Sequence, residues 1–202
     1  MKQWDKFFQE KIKKIFMGKK RIVDIGGGLR ISREKGNRFE KSRKWIIPFL
    51  EDAEYKILDT TAKYSPDIIG DIHNLPFAND SQDAIICIAV LEHVENPIIA
   101  VKEIYRTLKH GGYCFIYVPF LFYYHAQTGY YKDYWRFSED AIDLLFKDFK
   151  SIEKIAVRGR VETWMNFCPF KNSCFSKMGN LIDFLFHKSS KQVSGYNIFL
   201  IK

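Results

Sequence analysis

Seven short runs of aliphatic, β-branched and aromatic residues divide this chain, and they constrain its fold more than any other feature. "RIVDI" (21–25), "YKILDT" (55–60), "DIIGDI" (67–72), "DAIICIAV" (83–90) and "YCFIYVPF" (113–120) come first; "SIEKIAV" (151–157) and "GYNIFLI" (195–201) close it. The runs are nearly unbroken rather than alternating, as expected of strands covered on both faces of a parallel sheet. Helical stretches lie between them. Asn96 can cap a helix whose first turn holds Pro97, whose apolar residues are Ile98, Ile99, Val101, Ile104, Tyr105 and Leu108, and whose C′ glycine is Gly111. Ser138 caps another, with Glu139 and Asp140 in its first turn. Strands and helices in this order predict an α/β doubly wound sheet, which binds ligands beyond the carboxyl ends of its strands.

The length of 202 residues predicts one domain over 1–202. The net charge of +8 is concentrated at the start, where residues 1–21 carry eight Lys or Arg against two acids. A nucleic-acid-binding body would spread that charge over a folded face, so nucleic acid is an unexpected partner. Residues 1–20 predict an amphipathic helix, with Trp4, Phe7, Phe8, Ile12, Ile15 and Phe16 on one side. That face reads first as a docking surface; the sharper alternative is peripheral contact of residues 1–17 with an anionic membrane. Cys87 and Cys114 fall in apolar runs, and Cys168 and Cys174 lack zinc spacing, so no metal site is read and a reducing, cytoplasmic setting is expected. Residues 161–190 form an aromatic-rich insertion before the last strand.

The strand ends carry the chemistry. The first runs into Asp24, Ile25, Gly26, Gly27 and Gly28; the second ends at Asp59, the third at Asp71 and Ile72, the fourth at Ala89 and Val90 followed by Glu92 and His93. Gly26 and Gly28 let backbone approach a ligand closely. A carboxylate after the second strand can accept both hydroxyls of a ribose. A dinucleotide site would want G-x-G-x-x-G leading straight into a helix. Here the third glycine is early, Ser32 and Arg33 follow, and the acid at Asp71 would repel a pyrophosphate. Acids suit a cationic nucleoside better, which points to S-adenosylmethionine.

"VDIGGG", "ILDTT" and "GDIHNLPFANDSQDAIICIAVLEHVENPIIAVKEIYRTLKHGGYCFIYVPF" together resemble the class I S-adenosylmethionine-dependent methyltransferases, the type 11 branch in particular, over roughly residues 20–157. The resemblance implies a Rossmann-like sheet of seven strands in order 3-2-1-4-5-7-6, the last antiparallel, with helices on both faces. It implies S-adenosylmethionine as cofactor and S-adenosylhomocysteine as product. Carried over by position, Asp24, Gly26 and Gly28 would face the methionine part, and Asp59 the ribose. Asp71 and Ile72 would meet adenine, and Ala89 and Val90 would line the methionine portion. Two departures stand out. Arg30 holds a position where the family often has another glycine, and the interval from Asp24 to Asp59 exceeds the ~20 residues of a nucleotide-binding unit: either the stretch 29–44 is an insertion that covers the site, the favoured reading, or the ribose acid is elsewhere.

The segment after the fifth strand, "FLFYYHAQTGYYKDYWRFS", is where this architecture places an acceptor pocket. Aromatic walls with a few ionisable groups suit a small molecule. His125 is the candidate base and Asp133 its orienting partner. Tyr124, Tyr131, Tyr134, Trp135 and Arg136 are candidate acceptor contacts, Arg136 through an anionic group. The "DYWRF" segment resembles one in methyltransferase-like proteins of surface-polysaccharide biosynthesis, implying a sugar or nucleotide-sugar hydroxyl. Two alternatives stand beside it: a lipid-linked or membrane-held acceptor, and a module that binds the cofactor without catalysis.

Overall fold

The computed structural model describes residues 1–36, 38–167, 178, 179, 181–183, 185 and 190–202. Its strands are β1 (Arg21–Ile25), β2 (Glu54–Asp59), β3 (Ile68–Ile69), β4 (Gln82–Ile88), β5 (Leu108–Pro119), β6 (Ser151–Val157) and β7 (Gly195–Ile201), in the sheet order β3-β2-β1-β4-β5-β7-β6. All neighbours from β3 to β5 are parallel, and β7 runs antiparallel between β5 and β6. The α-helices are α1 (Gln3–Gly18), α2 (Pro97–Thr107), α3 (Glu139–Leu145) and α4 (Arg160–Phe167). Much of the 161–190 insertion, with Cys168 and Cys174, lies outside the described residues.

The sheet is buried on both faces with a period of two, which explains the unbroken apolar runs. Val23, Ile85, Cys87, Cys114 and Ile116 point to the face covered by α2 and α3, where Ile104, Ile142 and Phe146 complete the core. Ile22, Ala84, Ile86, Phe115 and Phe199 point to the opposite face, covered by α1 and by the 3-10 segment Lys41–Leu50. Ile12 and Ile15 of α1 are fully buried there, and the Phe8 ring meets Phe115 edge-on at 5.4 Å. Lys11, also buried, reaches Glu153 at 2.6 Å. Ile12, Ile15 and Phe16 of this face are spent on the sheet, with Phe7 and Phe8 packed partly against it, which favours the docking reading over membrane contact. No described helix is long and apolar enough to cross a membrane.

The caps follow the sequence. Asn96 accepts from the amides of Ile98 and Ile99, and Ser138 from Ala141. Gly111 differs from expectation: α2 stops at Thr107, and Gly111 lies inside β5 at φ 72. Leu108 turns extended because its fully buried side chain belongs to the core, and the Gly111 amide binds the Lys202 carbonyl instead.

Candidate active site

The turn after β1 is organised by a carboxylate beneath it. Asp24 is fully buried; its Oδ1 accepts from the Gly28 amide at 3.0 Å, and its Oδ2 accepts from the Leu29 amide at 2.9 Å and the Tyr55 hydroxyl at 2.7 Å. It shapes the loop from behind, so its expected place among cofactor contacts gives way to a positioning role. At Gly26, φ is +75, and a Cβ would come within 2.7 Å of Val90 Cγ2. At Gly28 a Cβ would stand 2.6 Å from Ile88 Cβ and 2.9 Å from its carbonyl oxygen. Both glycines let the turn press on the end of β4, closing the floor of a cleft. Arg30 takes φ 55, a conformation that a glycine adopts readily.

Burial drives the Asp24 pKa up to about 6, against the pull of Tyr55 and the two loop amides. An unfolded carboxyl ionises near 3.8, so the fold holds this proton more tightly. The resulting contribution to stability is complete below pH 3.8 and is lost as pH rises through about 6. The stability of the native chain minus that of Asp24→Asn, from urea unfolding, should therefore fall between pH 4.5 and 7, by at most about 3 kcal/mol. A rise over that window would contradict the assignment.

The cleft beyond the strand ends has a volume of about 920 Å³. Gly26, Gly28, Asp59, Asp71, Ile72, Ala89 and Val90 all line it, as do His125, Tyr131 and Tyr134. Arg30 and Arg38, from the charged stretch 29–44, line it as well. Asp59 is buried, with Oδ1 accepting from the Thr61 amide at 3.2 Å and Oδ2 from the Tyr130 hydroxyl. Asp71 holds the His73 amide and ring, and His73 Nε2 accepts from the Asn96 amide, tying β3's end to the start of α2.

The "DYWRF" residues strap the acceptor loop to the end of β4. The amides of Tyr134 and Trp135 both donate to the Glu92 carbonyl, at 2.8 and 3.1 Å, and the Trp135 indole donates to the Val94 carbonyl. Arg136 makes a two-point pair with Asp133, at 2.6 and 2.7 Å, and gives its other donors to the carbonyls of Phe122, Tyr123 and Trp135. All five guanidinium N–H groups are thus engaged. The expectation that Arg136 receives an anionic acceptor is corrected to a clamp. Trp135 and the exposed Tyr124 likewise stand outside the cleft lining.

The clamp fixes His125. The paired Arg136, foremost, holds the Asp133 carboxyl at about 2. Asp133 Oδ2 accepts from the His125 amide at 2.8 Å and lies 3.3 Å from His125 Nδ1, which is 3.0 Å from the Tyr123 carbonyl. A carbonyl only accepts, so Nδ1 carries the proton and Nε2 faces the cleft. There it meets Glu92 Oε1 at 3.7 Å, and this carboxylate raises the His125 pKa. His93 has the same arrangement: Nδ1 lies 2.6 Å from the Lys132 carbonyl, with Nε2 3.8 Å from Glu92. Burial lowers its pKa. Glu92, His93 and Tyr130 are functional candidates that sequence reasoning did not select; only their place just past β4 and in the loop after β5 hinted at them.

Residues 50–116 match the model described as a methyltransferase domain. The whole chain superposes on solved structures at low identity. One is a SAM-dependent methyltransferase from Archaeoglobus fulgidus (TM-score 0.61, 13% identity, covering 99% of this chain and 94% of that one). Another is an S-adenosylmethionine-dependent methyltransferase from Mesorhizobium loti (TM-score 0.55, 15% identity, 96% of each chain). A third comes from the complex of the Haloferax volcanii Trm112 methyltransferase activator with a methyltransferase (TM-score 0.54, 16% identity, covering 98% and 92%). No relative is matched among curated protein sequences. The acid after β2, the glycine turn pressed on β4 and the strand order agree with that match: residues 50–116 resemble a methyltransferase domain, and the chain has the fold of the S-adenosylmethionine-dependent methyltransferases on which it superposes.

Proposed function

We propose that this chain methylates a hydroxyl oxygen of a small, polar acceptor of the sugar or nucleotide-sugar kind. The observation that carries this reading is the cluster of Glu92, His93 and His125 beside Val90, walled by Tyr131 and Tyr134. Bound S-adenosylmethionine supplies an electrophilic methyl on its sulfonium sulfur. Asp59 is placed to hold the ribose, and the turn at Gly26 to receive the methionine end. An acceptor hydroxyl must gain the methyl carbon and lose its proton, whereas the C–S electron pair stays on sulfur. The cluster is where that proton would be managed, with His125 oriented through Asp133.

A screen of labelled-methyl transfer over sugars, nucleotide sugars, lipids and RNA tests the reading. O-methylated sugar product is expected; transfer confined to nitrogen or to RNA would contradict it. A longer acceptor with an apolar arm is the second reading. A second cavity of about 600 Å³ supports it, sharing Arg30, Ala89 and Phe122 with the cleft and walled by Trp4, Phe8 and Trp45.

Tyr130 yields a separate prediction. Its hydroxyl takes the Asp59 oxygen that a ribose would use, with its ring 5.2 Å from Tyr64. Tyr130→Phe removes that competitor and should tighten S-adenosylhomocysteine binding about tenfold, equivalent to about 1.4 kcal/mol. Weaker binding in calorimetry would make Tyr130 a cofactor contact instead.

A further inference from the structure

Three side chains from two separate segments converge on one point of the cleft. Glu92 and His93 belong to the 3-10 turn Leu91–His93 after β4, and His125 to the loop after β5. One ligand-type atom of each lies within 4.8 Å of the others. Glu92 is 1% exposed, and among the described residues its Oε2 has no hydrogen-bond partner. A buried carboxylate oxygen without a donor is an unfavourable arrangement that a bound cation would relieve. Both imidazoles spend their Nδ1 protons on backbone carbonyls, so the neutral rings turn Nε2 lone pairs toward the same carboxylate. This outer support, with Asp133 and Arg136 behind His125, is what orients ligating histidines in metal sites.

The geometry points to a divalent-cation site at Glu92, His93 and His125, open to the cleft, for a first-row ion of the zinc, cobalt or iron(II) class. Two imidazoles and one carboxylate suit those ions, whereas magnesium and calcium seek all-oxygen shells. Bonds of ~2.1 Å place neighbouring ligand atoms about 3.4 Å apart. The separations of 3.7 and 3.8 Å to Glu92 Oε1 need only a small contraction, whereas the two imidazole nitrogens, within 4.8 Å of each other, would close further on binding. The sequence spacing hid the set because its third member comes from a different loop. The ion's role rests on the oxygen-acceptor reading: a hydroxyl at an open position would be oriented and would release its proton to solvent more readily. His125, as a ligand, would hold the ion that manages the acceptor's proton, so its loss would lower turnover just as the loss of a base would.

The test uses the full, untagged chain, stripped with chelator and titrated with Co²⁺ under visible absorption. One saturable site per chain at micromolar concentration is expected, displaced one for one by Zn²⁺ and unaffected by millimolar Mg²⁺. Glu92→Gln and His93→Asn should each weaken Co²⁺ at least 100-fold while S-adenosylhomocysteine binding stays native. No saturable Co²⁺ spectrum, or one that both variants leave unchanged, overturns the site. Should a variant fail to fold, the displacement series on the native chain decides. O-methyl transfer that persists in chelator, with no Co²⁺ binding, would overturn the site and leave the oxygen-acceptor reading standing. Co²⁺ binding with transfer only to nitrogen would support the site and overturn that reading.

Discussion

Asp59→Ala should weaken S-adenosylhomocysteine binding roughly 100-fold, about 2.7 kcal/mol. The carboxylate sits at the end of β2, buried, with one oxygen held by the Thr61 amide and the other by the Tyr130 hydroxyl. Hydrogen bonds to a charged acceptor contribute about 1.5–3 kcal/mol each. A ribose diol would make two, but the Tyr130 bond must first be exchanged, so the net effect is less than the sum. Asp59→Asn keeps the shape and one acceptor, and should fall between the two. Thermal unfolding separates this from a general loss of structure, since Asp59 lies at the rim of the sheet rather than in its core. Unchanged affinity for Asp59→Ala would remove the ribose assignment.

The second large effect is on turnover. His125→Asn should lower kcat by about 10²- to 10⁴-fold, the range of positioned acid–base groups, while S-adenosylhomocysteine affinity changes less than about twofold, a difference near or below 0.4 kcal/mol. The separation follows from the bonds each group makes: Asp59 is held by the Thr61 amide and the Tyr130 hydroxyl, whereas His125 is held by Asp133 and faces Glu92. A variant that lost cofactor affinity and kcat together would place His125 in the cofactor site. Undiminished kcat would leave alignment and desolvation to carry the reaction without it.

The fold was legible because its determinants are local. Unbroken apolar runs, Asn96 before Pro97 and Ser138 before two acids mark elements by short-range chemistry. Strand-end residues such as Asp59, Asp71 and Val90 were legible for the same reason, since position along a strand places them in the cleft. What escaped depends on which hydrogen bonds are already spent. Arg136 looks available for an anion until all five of its donors are found occupied within the loop. Asp24 looks like a ligand until its carboxylate is found bonded under the glycine turn. Glu92 and His93 acquire chemical meaning only when the loop after β5 folds His125 onto them.

Calorimetric titration of S-adenosylhomocysteine into the full chain tests the central claim most directly. One saturable site per chain at micromolar concentration is predicted, with no heat of binding from NAD⁺ under the same conditions. A chain that binds NAD⁺, or that leaves S-adenosylhomocysteine unbound, would contradict the assignment of this cleft.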